Sequence, residues 1–372
     1  MIAGCDLLPY RLALGQPWRS ARGELAERRG WLVRIAAGDW TGFGDCAPLP
    51  TAGTEPPARA AAALAHWRTD LAGRSPEEAL ARLAADPMPA PAARCAIECA
   101  LLDLLTQARG LPLRTWLAPG AADRVAVNAM LGGLGTIAPE AVAAACRAGF
   151  RVLKVKVGLA APALELTRLT ALAAALPPAV GLRLDANGAW DPTEAARFID
   201  GVAALPIEAI EEPLRTPRVA DLRALQARAP FPLALDESLH DPDLHAALVG
   251  DPGALPVRRL VLKPAAIGGL RATLVLAERA IAAGLEVIVT SLIESAAGLW
   301  PTVQLAAALP NQPPHGLATA AWLRRDLGEA PAVTGGAIAL PERAGSGFRP
   351  SAETREAPPG QELGRELGQE TG

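Results

Sequence analysis

Lysine, histidine, cysteine and tyrosine are all scarce in this sequence, and each shortage narrows what the chain can be. Of its 36 Lys and Arg residues only Lys154, Lys156 and Lys263 are lysine, which leaves 33 arginines. Histidine occurs four times, cysteine five times and tyrosine once in 372 residues. The five cysteines (Cys5, Cys46, Cys95, Cys99, Cys146) are odd in number and form no CxxC, which fits reduced thiols in a cytoplasm better than a disulfide framework. No run of basic residues stands out and the net charge is −3, so the positive stripe that nucleic acid requires is missing. Apolar stretches such as 160–181 are broken by Glu, Arg and Pro well short of the roughly 18 residues of a membrane span. Ile2-Ala3-Gly4-Cys5 has the form of a lipoprotein cleavage box, but no basic segment and apolar run of about 7–15 residues precedes it.

What remains is a globular composition, 51% hydrophobic and 20% charged, in a chain longer than the ~150 residues of one typical domain. The three lysines carry information because the chain otherwise writes Arg for positive charge. A guanidinium is effectively never deprotonated, whereas a shielded ammonium can lose its proton and act as a base. All three fall in strand-like segments.

From about residue 124 a strand-like run, a turn and an amphipathic Ala/Leu-rich segment alternate. The strand candidates are Val125 to Leu131, Val152 to Val157, Leu182 to Asp185, Ile207 to Glu211, Leu233 to Asp236, Leu260 to Lys263, Val287 to Thr290, and a weaker one at Gly316-Leu317. Segments between them repeat near the 3.6 period, so the spacing predicts a parallel β/α barrel over 121–334. Residues 1–120 break the rhythm. Strands near Tyr10–Leu14 and Trp31–Ile35, with helices over 57–72, 76–84 and 91–108, predict an α+β capping domain. The apolar run Ala337 to Leu340 is read as a return of 335–350 to that cap, and 351–372 as a disordered tail.

Barrel strands deliver catalytic groups at their C-terminal ends. Lys154 and Lys156 end the second barrel strand, Asp185 the third, Glu211 and Glu212 the fourth, Asp236 and Glu237 the fifth, and Lys263 the sixth. Alternation of side chains turns Lys154 with Lys156, Arg183 with Asp185 and Asn187, then Glu211, then Asp236 toward the mouth, and turns Glu237 away from it. Three carboxylates, Asp185, Glu211 and Asp236, would repel one another in a low-dielectric mouth unless a cation neutralised them. All-oxygen ligation suits Mg²⁺, with Mn²⁺ as a possible substitute. Lys156 and Lys263 flank that position, a layout suited to removing a proton α to a carboxylate. Salt bridges closing the barrel mouth are the alternative, but they do not require acids and lysines to fall in register over five strands. Cys95 and Cys99 share a helix face and read as core.

The motifs LKVKVG (153–158), RLDANGAW (183–190), IEEP (210–213), LDESL (235–239) and Lys263-Pro264 followed by Gly268-Gly269 resemble the enolase superfamily in its muconate-cycloisomerase-like branch. The helix carrying Ala96-Ile97-Glu98 to Leu104-Leu105 adds to the likeness, which covers roughly residues 5–350. The resemblance implies a modified TIM barrel, (β/α)7β, with an N-terminal α+β capping domain. It implies Lys156 as general base, Lys263 as the cation across the substrate, Asp185, Glu211 and Asp236 as Mg²⁺ ligands, and Lys154, Arg183 and Asn187 as supporting residues. No histidine replaces Lys263, which disfavours the branch that uses a His–Asp pair.

Finer resemblance is to the o-succinylbenzoate synthase family. It rests on HGLAT (315–319), SLIES (291–295, with Ser291 and Glu294 as substrate-wall candidates), Ala47-Pro48-Leu49-Pro50, and Ala21-Arg22-Gly23 followed by Arg29-Gly30. The eighth-strand region lacks the acid pair by which related epimerases hold an α-ammonium group. The implied activity is dehydration of 2-succinyl-6-hydroxy-2,4-cyclohexadiene-1-carboxylate in menaquinone synthesis, with a small-molecule carboxylate as the partner. Racemisation of N-acylamino acids and a non-catalytic metal-binding barrel are the alternatives. Trp18, Arg19 and Arg22 are candidates for a lid, and a homo-oligomer is left open.

Overall fold

Residues 1–20, 23–87, 89–310 and 312–364 are described by a computed structural model, apart from the side chains of 16–20 and 23–24. The lid candidates therefore fall outside the described residues: Arg22 altogether, and Trp18 and Arg19 in their side chains.

The cap begins with two long antiparallel strands, β1 (Ile2–Ser20) and β2 (Gly23–Ala37), followed by β3 (Trp40–Cys46) on the other side of β2. Helices α1 (Pro57–Leu71), α2 (Pro76–Ala85), α3 (Pro91–Ala108) and the short α4 (Leu113–Leu117) follow. β3 does not read as a strand in the sequence because Gly42 and Gly44 mimic turn chemistry. Their role is close approach: a Cβ on Gly44 would lie 1.9 Å from the Ala96 carbonyl oxygen, so the strand lies flush on α3. The N-terminus of α3 has no side-chain cap of its own. Glu55 supplies one, its carboxylate accepting from the Ala92 and Ala93 amides at 2.9 Å each.

The barrel follows as β4 (Arg124–Ala126), β5 (Ala129–Gly133), α5 (Pro139–Arg147), β6 (Val152–Lys156), α6 (Pro162–Ala174), β7 (Gly181–Asp185), α7 (Pro192–Val202), β8 (Ile207–Glu211), α8 (Val219–Arg228), β9 (Leu233–Leu235), α9 (Pro242–Gly250), β10 (Arg259–Leu262), α10 (Pro264–Ile267), α11 (Leu270–Ala282), β11 (Glu286–Val289) and α12 (Ala296–Ala308). Strands β5 to β11 form one parallel sheet in chain order. Its strands are apolar runs because both faces are covered. The expected eighth strand is reduced to single bridges, His315 to Val127 and Gly316 to Thr290, which close the ring. This is the (β/α)7β barrel with an α+β cap.

Three segments differ from the sequence reading. Val125 to Leu131 splits into β4 and β5, and β4 leaves the barrel to pair with β13 (Ala337–Ala339), itself paired with β12 (Val333–Thr334). The Ala337 to Leu340 run thus joins β4, and the return to the cap comes later. Ser346 N–H donates to the buried Asp103 carboxylate of α3 at 2.6 Å, and Phe348 meets Phe43 edge-on at 5.4 Å. The stretch expected to be disordered is ordered as far as Gly364. α13 (Ala352–Glu356) is capped by Ser351, and Leu363, fully buried, bonds the backbone of Pro9 and Arg11. A single well-placed leucine anchors a segment whose composition alone reads as unfolded. Residues 365–372 lie outside the described residues.

Candidate active site

The parallel register brings the ionisable groups to one level. Lys156 is the partner of Asp185, Asp185 of Glu211, and Glu211 of Ala234, two residues before Asp236. Lys263 follows β10 directly. The ends of these strands open into a cavity of about 260 Å³ lined by Lys154, Lys156, Asp185, Asn187, Asp236, Glu237 and Lys263. Met130, Thr290, Ser291, Leu292, Ile293 and Thr319 complete its barrel wall, and Leu25, Leu49, Thr51 and Ala52 reach in from the cap.

Each lysine has a different setting. Lys154 lies between acids, bonded to Glu211 and 3.1 Å from Asp185 Oδ2. Burial works against its charge, but Asp185, Glu211 and Asp236 outweigh this and raise its pKa above the ordinary range. Lys263 sits 2.8 Å from Asp236 Oδ1 and 3.4 Å from Glu237 Oε1. Its pKa is raised too, since those two acids overcome burial. Lys156 donates to Asn187 Oδ1 at 2.6 Å and is 3.8 Å from Asp185 Oδ2. Here burial prevails, helped by the charge of Lys154, and the pKa is lowered. One lysine is therefore biased toward releasing a proton and two toward staying charged.

The acids are equally differentiated. Lys154 and Lys156 hold Asp185 low against the effect of burial, whereas burial and the neighbouring Glu237 push Asp236 well up. The sequence reading turned Glu237 away from the mouth, and the structure corrects this. β9 ends at Leu235, Asp236 adopts φ −124° and ψ −95°, and Glu237–His240 form a 3₁₀ turn. Strand alternation stops there, and Glu237 swings back to the cavity. Glu212, absent from the candidates, organises that turn from a positive φ of 47°. Its buried carboxylate accepts from the Asp236 amide at 2.6 Å, the Ser238 amide at 2.9 Å and the Ser238 hydroxyl at 2.5 Å. Burial and Glu237 raise its pKa to about 7.

Three other candidates stand behind the cavity wall: Glu211, buried against Lys154, with Arg183 and Glu294. Arg183 is fully buried beneath the acids, binding Glu208 at 2.9 Å, Asn128 Oδ1 at 3.0 Å and the Pro314 carbonyl at 2.9 Å, with Glu211 Oε1 3.8 Å away. Glu294 accepts the Leu292 N–H at 2.7 Å, and burial raises its pKa to about 7. Ser291 does line the cavity, its hydroxyl 2.7 Å from that of Thr319. Among the described residues no three His, Cys, Asp or Glu side chains converge tightly enough to hold an ion as they stand. Asp185 and Glu211 direct oxygens to Lys154, and Asp236 directs one to Lys263.

Comparison with known proteins places the chain in a family. Residues 137–354 match the enolase C-terminal domain-like family, and residues 5–104 match the MenC N-terminal domain. Over 309 residues the chain is 31% identical to the o-succinylbenzoate synthase of Klebsiella pneumoniae, covering 82% of this chain and 86% of that protein. The chain belongs to the o-succinylbenzoate synthase family of the enolase superfamily. The o-succinylbenzoate synthase of Thermobifida fusca is 37% identical over 219 residues, 58% of this chain and 66% of its own length. The fold is shared with the crystal structure of muconate lactonizing enzyme from Pseudomonas fluorescens in complex with muconolactone. That match has a TM-score of 0.84 and 24% identity, covering 95% of this chain and 97% of that one. Among the described residues no helix is long and apolar enough to cross a membrane.

Proposed function

We propose that the protein is an o-succinylbenzoate synthase, a carbon–oxygen lyase that dehydrates 2-succinyl-6-hydroxy-2,4-cyclohexadiene-1-carboxylate in menaquinone synthesis. The observation that carries this reading is that Lys156, at the end of β6, and Lys263, four strands round the ring, open into one cavity with Asp185 and Asp236 in a chain 31% identical to an o-succinylbenzoate synthase over 82% of its length. Neutral Lys156 takes the proton α to the substrate carboxylate, Asn187 fixing its amine through the 2.6 Å bond. Lys263 stays cationic and faces the negative charge that builds as the C–H bond breaks. The Lys156 ammonium then returns its proton to the departing hydroxyl on the same face, so the C–O bond breaks and water leaves as the ring becomes aromatic.

The same reading assigns a divalent cation, Mg²⁺ or in its place Mn²⁺, to Asp185, Glu211 and Asp236. What supports it is the donor chemistry: three carboxylates on adjacent strands, all oxygen, in a pocket negative enough to draw Lys154 into its middle. When bound, such an ion supplies positive charge opposite the developing charge on the substrate carboxylate. Arg183 underlies Glu211 and steadies the acids from below. The five free cysteines support a cytoplasmic location for the reaction.

Two lysines on one cavity also allow a 1,1-proton transfer, in which Lys156 takes a proton from one face of a stereocentre and the cationic Lys263 delivers one to the other, and this makes N-succinyl amino acid racemisation the second reading. Assay of the purified protein with Mg²⁺ on the cyclohexadiene carboxylate and on N-succinyl amino acids separates them. Dehydration abolished by a chelator is expected, and racemisation without dehydration overturns the first reading.

A further inference from the structure

The cavity has one wall from the cap and one from the barrel, and a buried arginine of the cap reaches both. Arg28, on β2, is 2% exposed. Its Nη2 donates to the Ala47 carbonyl at 2.5 Å, its Nη1 to the Pro48 carbonyl at 3.4 Å, and its Nε to the Ile293 carbonyl at 3.3 Å. Ala47 and Pro48 open the cap loop that brings Leu49, Thr51 and Ala52 to the cavity, while Ile293 belongs to the barrel loop that brings Ser291 and Leu292.

Ile293 has φ +59°, a left-handed conformation uncommon for a β-branched residue, which persists only where its surroundings hold it. Its amide is held by Ser291 Oγ at 3.2 Å and its carbonyl by Arg28. Beyond it, the amide and hydroxyl of Ser295 both bond Asp45 Oδ2 at 2.7 Å, a second tie to the cap. The buried guanidinium has the carboxylates of Asp45 and Glu294 near enough to feel its charge. Its hydrogen bonds go to main-chain oxygens of two loops, which fixes backbone positions.

We propose that Arg28 is a positioning residue for substrate affinity: it locks cap loop 47–52 and barrel loop 291–293 at one spacing and so sets the width of the pocket between them. The effect on substrate rests on the function proposed above, whereas the coupling of the loops does not. Full-length wild type, Arg28→Met and Arg28→Lys separate the two. Hydrogen–deuterium exchange reads the loops through amides such as Ala52, bonded to the Leu49 carbonyl at 2.9 Å, and Leu292, bonded to Glu294 at 2.7 Å.

In Arg28→Met, exchange is expected to quicken at least about tenfold in both loops together, with β6 to β8 unchanged. KM for the cyclohexadiene carboxylate rises about tenfold while kcat stays within about threefold, because the lysines and acids are held by the barrel. Arg28→Lys keeps the charge but gathers its donors on one nitrogen, so it is expected to behave as Arg28→Met does. It also carries the exchange measurement if Arg28→Met does not fold. Unchanged exchange in either loop, a loss confined to kcat, or full rescue by lysine overturns the proposal. Absence of turnover in the wild type overturns the reaction instead, and the exchange result then decides on Arg28 alone.

Discussion

One histidine at the seam of the barrel should take stability away from the fold on acidification. His315 is fully buried, and its Nδ1 accepts the Val289 N–H at 2.9 Å, so the ring is neutral with its proton on Nε2. Burial, with the nearby charge of Arg183, pulls its pKa from 6.5 down to about 3. In the unfolded chain the ring protonates below 6.5, so the unfolded state binds the extra proton and stability falls as pH drops from 6.5 toward 3. Between pH 7 and pH 5 the loss works out at about 2 kcal/mol from the linkage of 1.36 kcal/mol per unit. Buried carboxyls oppose this trend, because Glu212 and Glu294, raised to about 7, bind protons more readily folded than unfolded. The comparison must therefore be differential. His315→Asn keeps an acceptor for Val289 and removes the titration, so the unfolding free energies of wild type and variant from urea titrations at pH 7, 6 and 5 should diverge by about that amount on acidification. Parallel pH profiles would refute the reasoning, since they would mean that His315 does not resist protonation in the fold.

Three further outcomes are expected. Lys156→Arg retains a cation that cannot accept a proton, so kcat should fall at least about a thousandfold while circular dichroism and the unfolding midpoint stay unchanged. Asp185→Asn removes one of the three proposed metal oxygens, and isothermal titration should show weaker Mg²⁺ binding by about tenfold or more. Gly44→Ala puts a methyl 1.9 Å from the Ala96 carbonyl oxygen and should cost about 1–3 kcal/mol in urea unfolding as β3 lifts from α3.

The barrel was legible where local pattern and tertiary environment agree. Buried parallel strands read as short apolar runs, so Ile207 to Glu211 is found residue for residue and the neighbouring strands to within one or two positions. The acids and lysines were legible for the same reason, since each ends such a run. What was missed depends on distant partners. β3 hides behind glycines whose purpose is a helix about fifty residues on, and β4 was fused to β5 because nothing local marks the crossover to Ala337–Ala339. The eighth strand was weak in sequence and is correspondingly slight in space. Glu237 was misplaced because parity fails where a strand ends. Glu212 carried a signal in its adjacency to Glu211, but its role requires the folded turn at 236–238.

The path of the chain after the barrel has a practical consequence. Because Ser346 fastens to α3 and Leu363 lies between Pro9 and Arg11, the cap is a discontinuous unit whose final piece arrives after the last barrel helix. A fragment cut at residue 120 would expose Phe43 and leave Asp103 without its distal donor. Anyone grafting this cap onto a related barrel, or permuting the termini, would have to carry the distal segment along with the proximal one. The two halves of this chain are in that sense held as a clasp rather than as beads on a string.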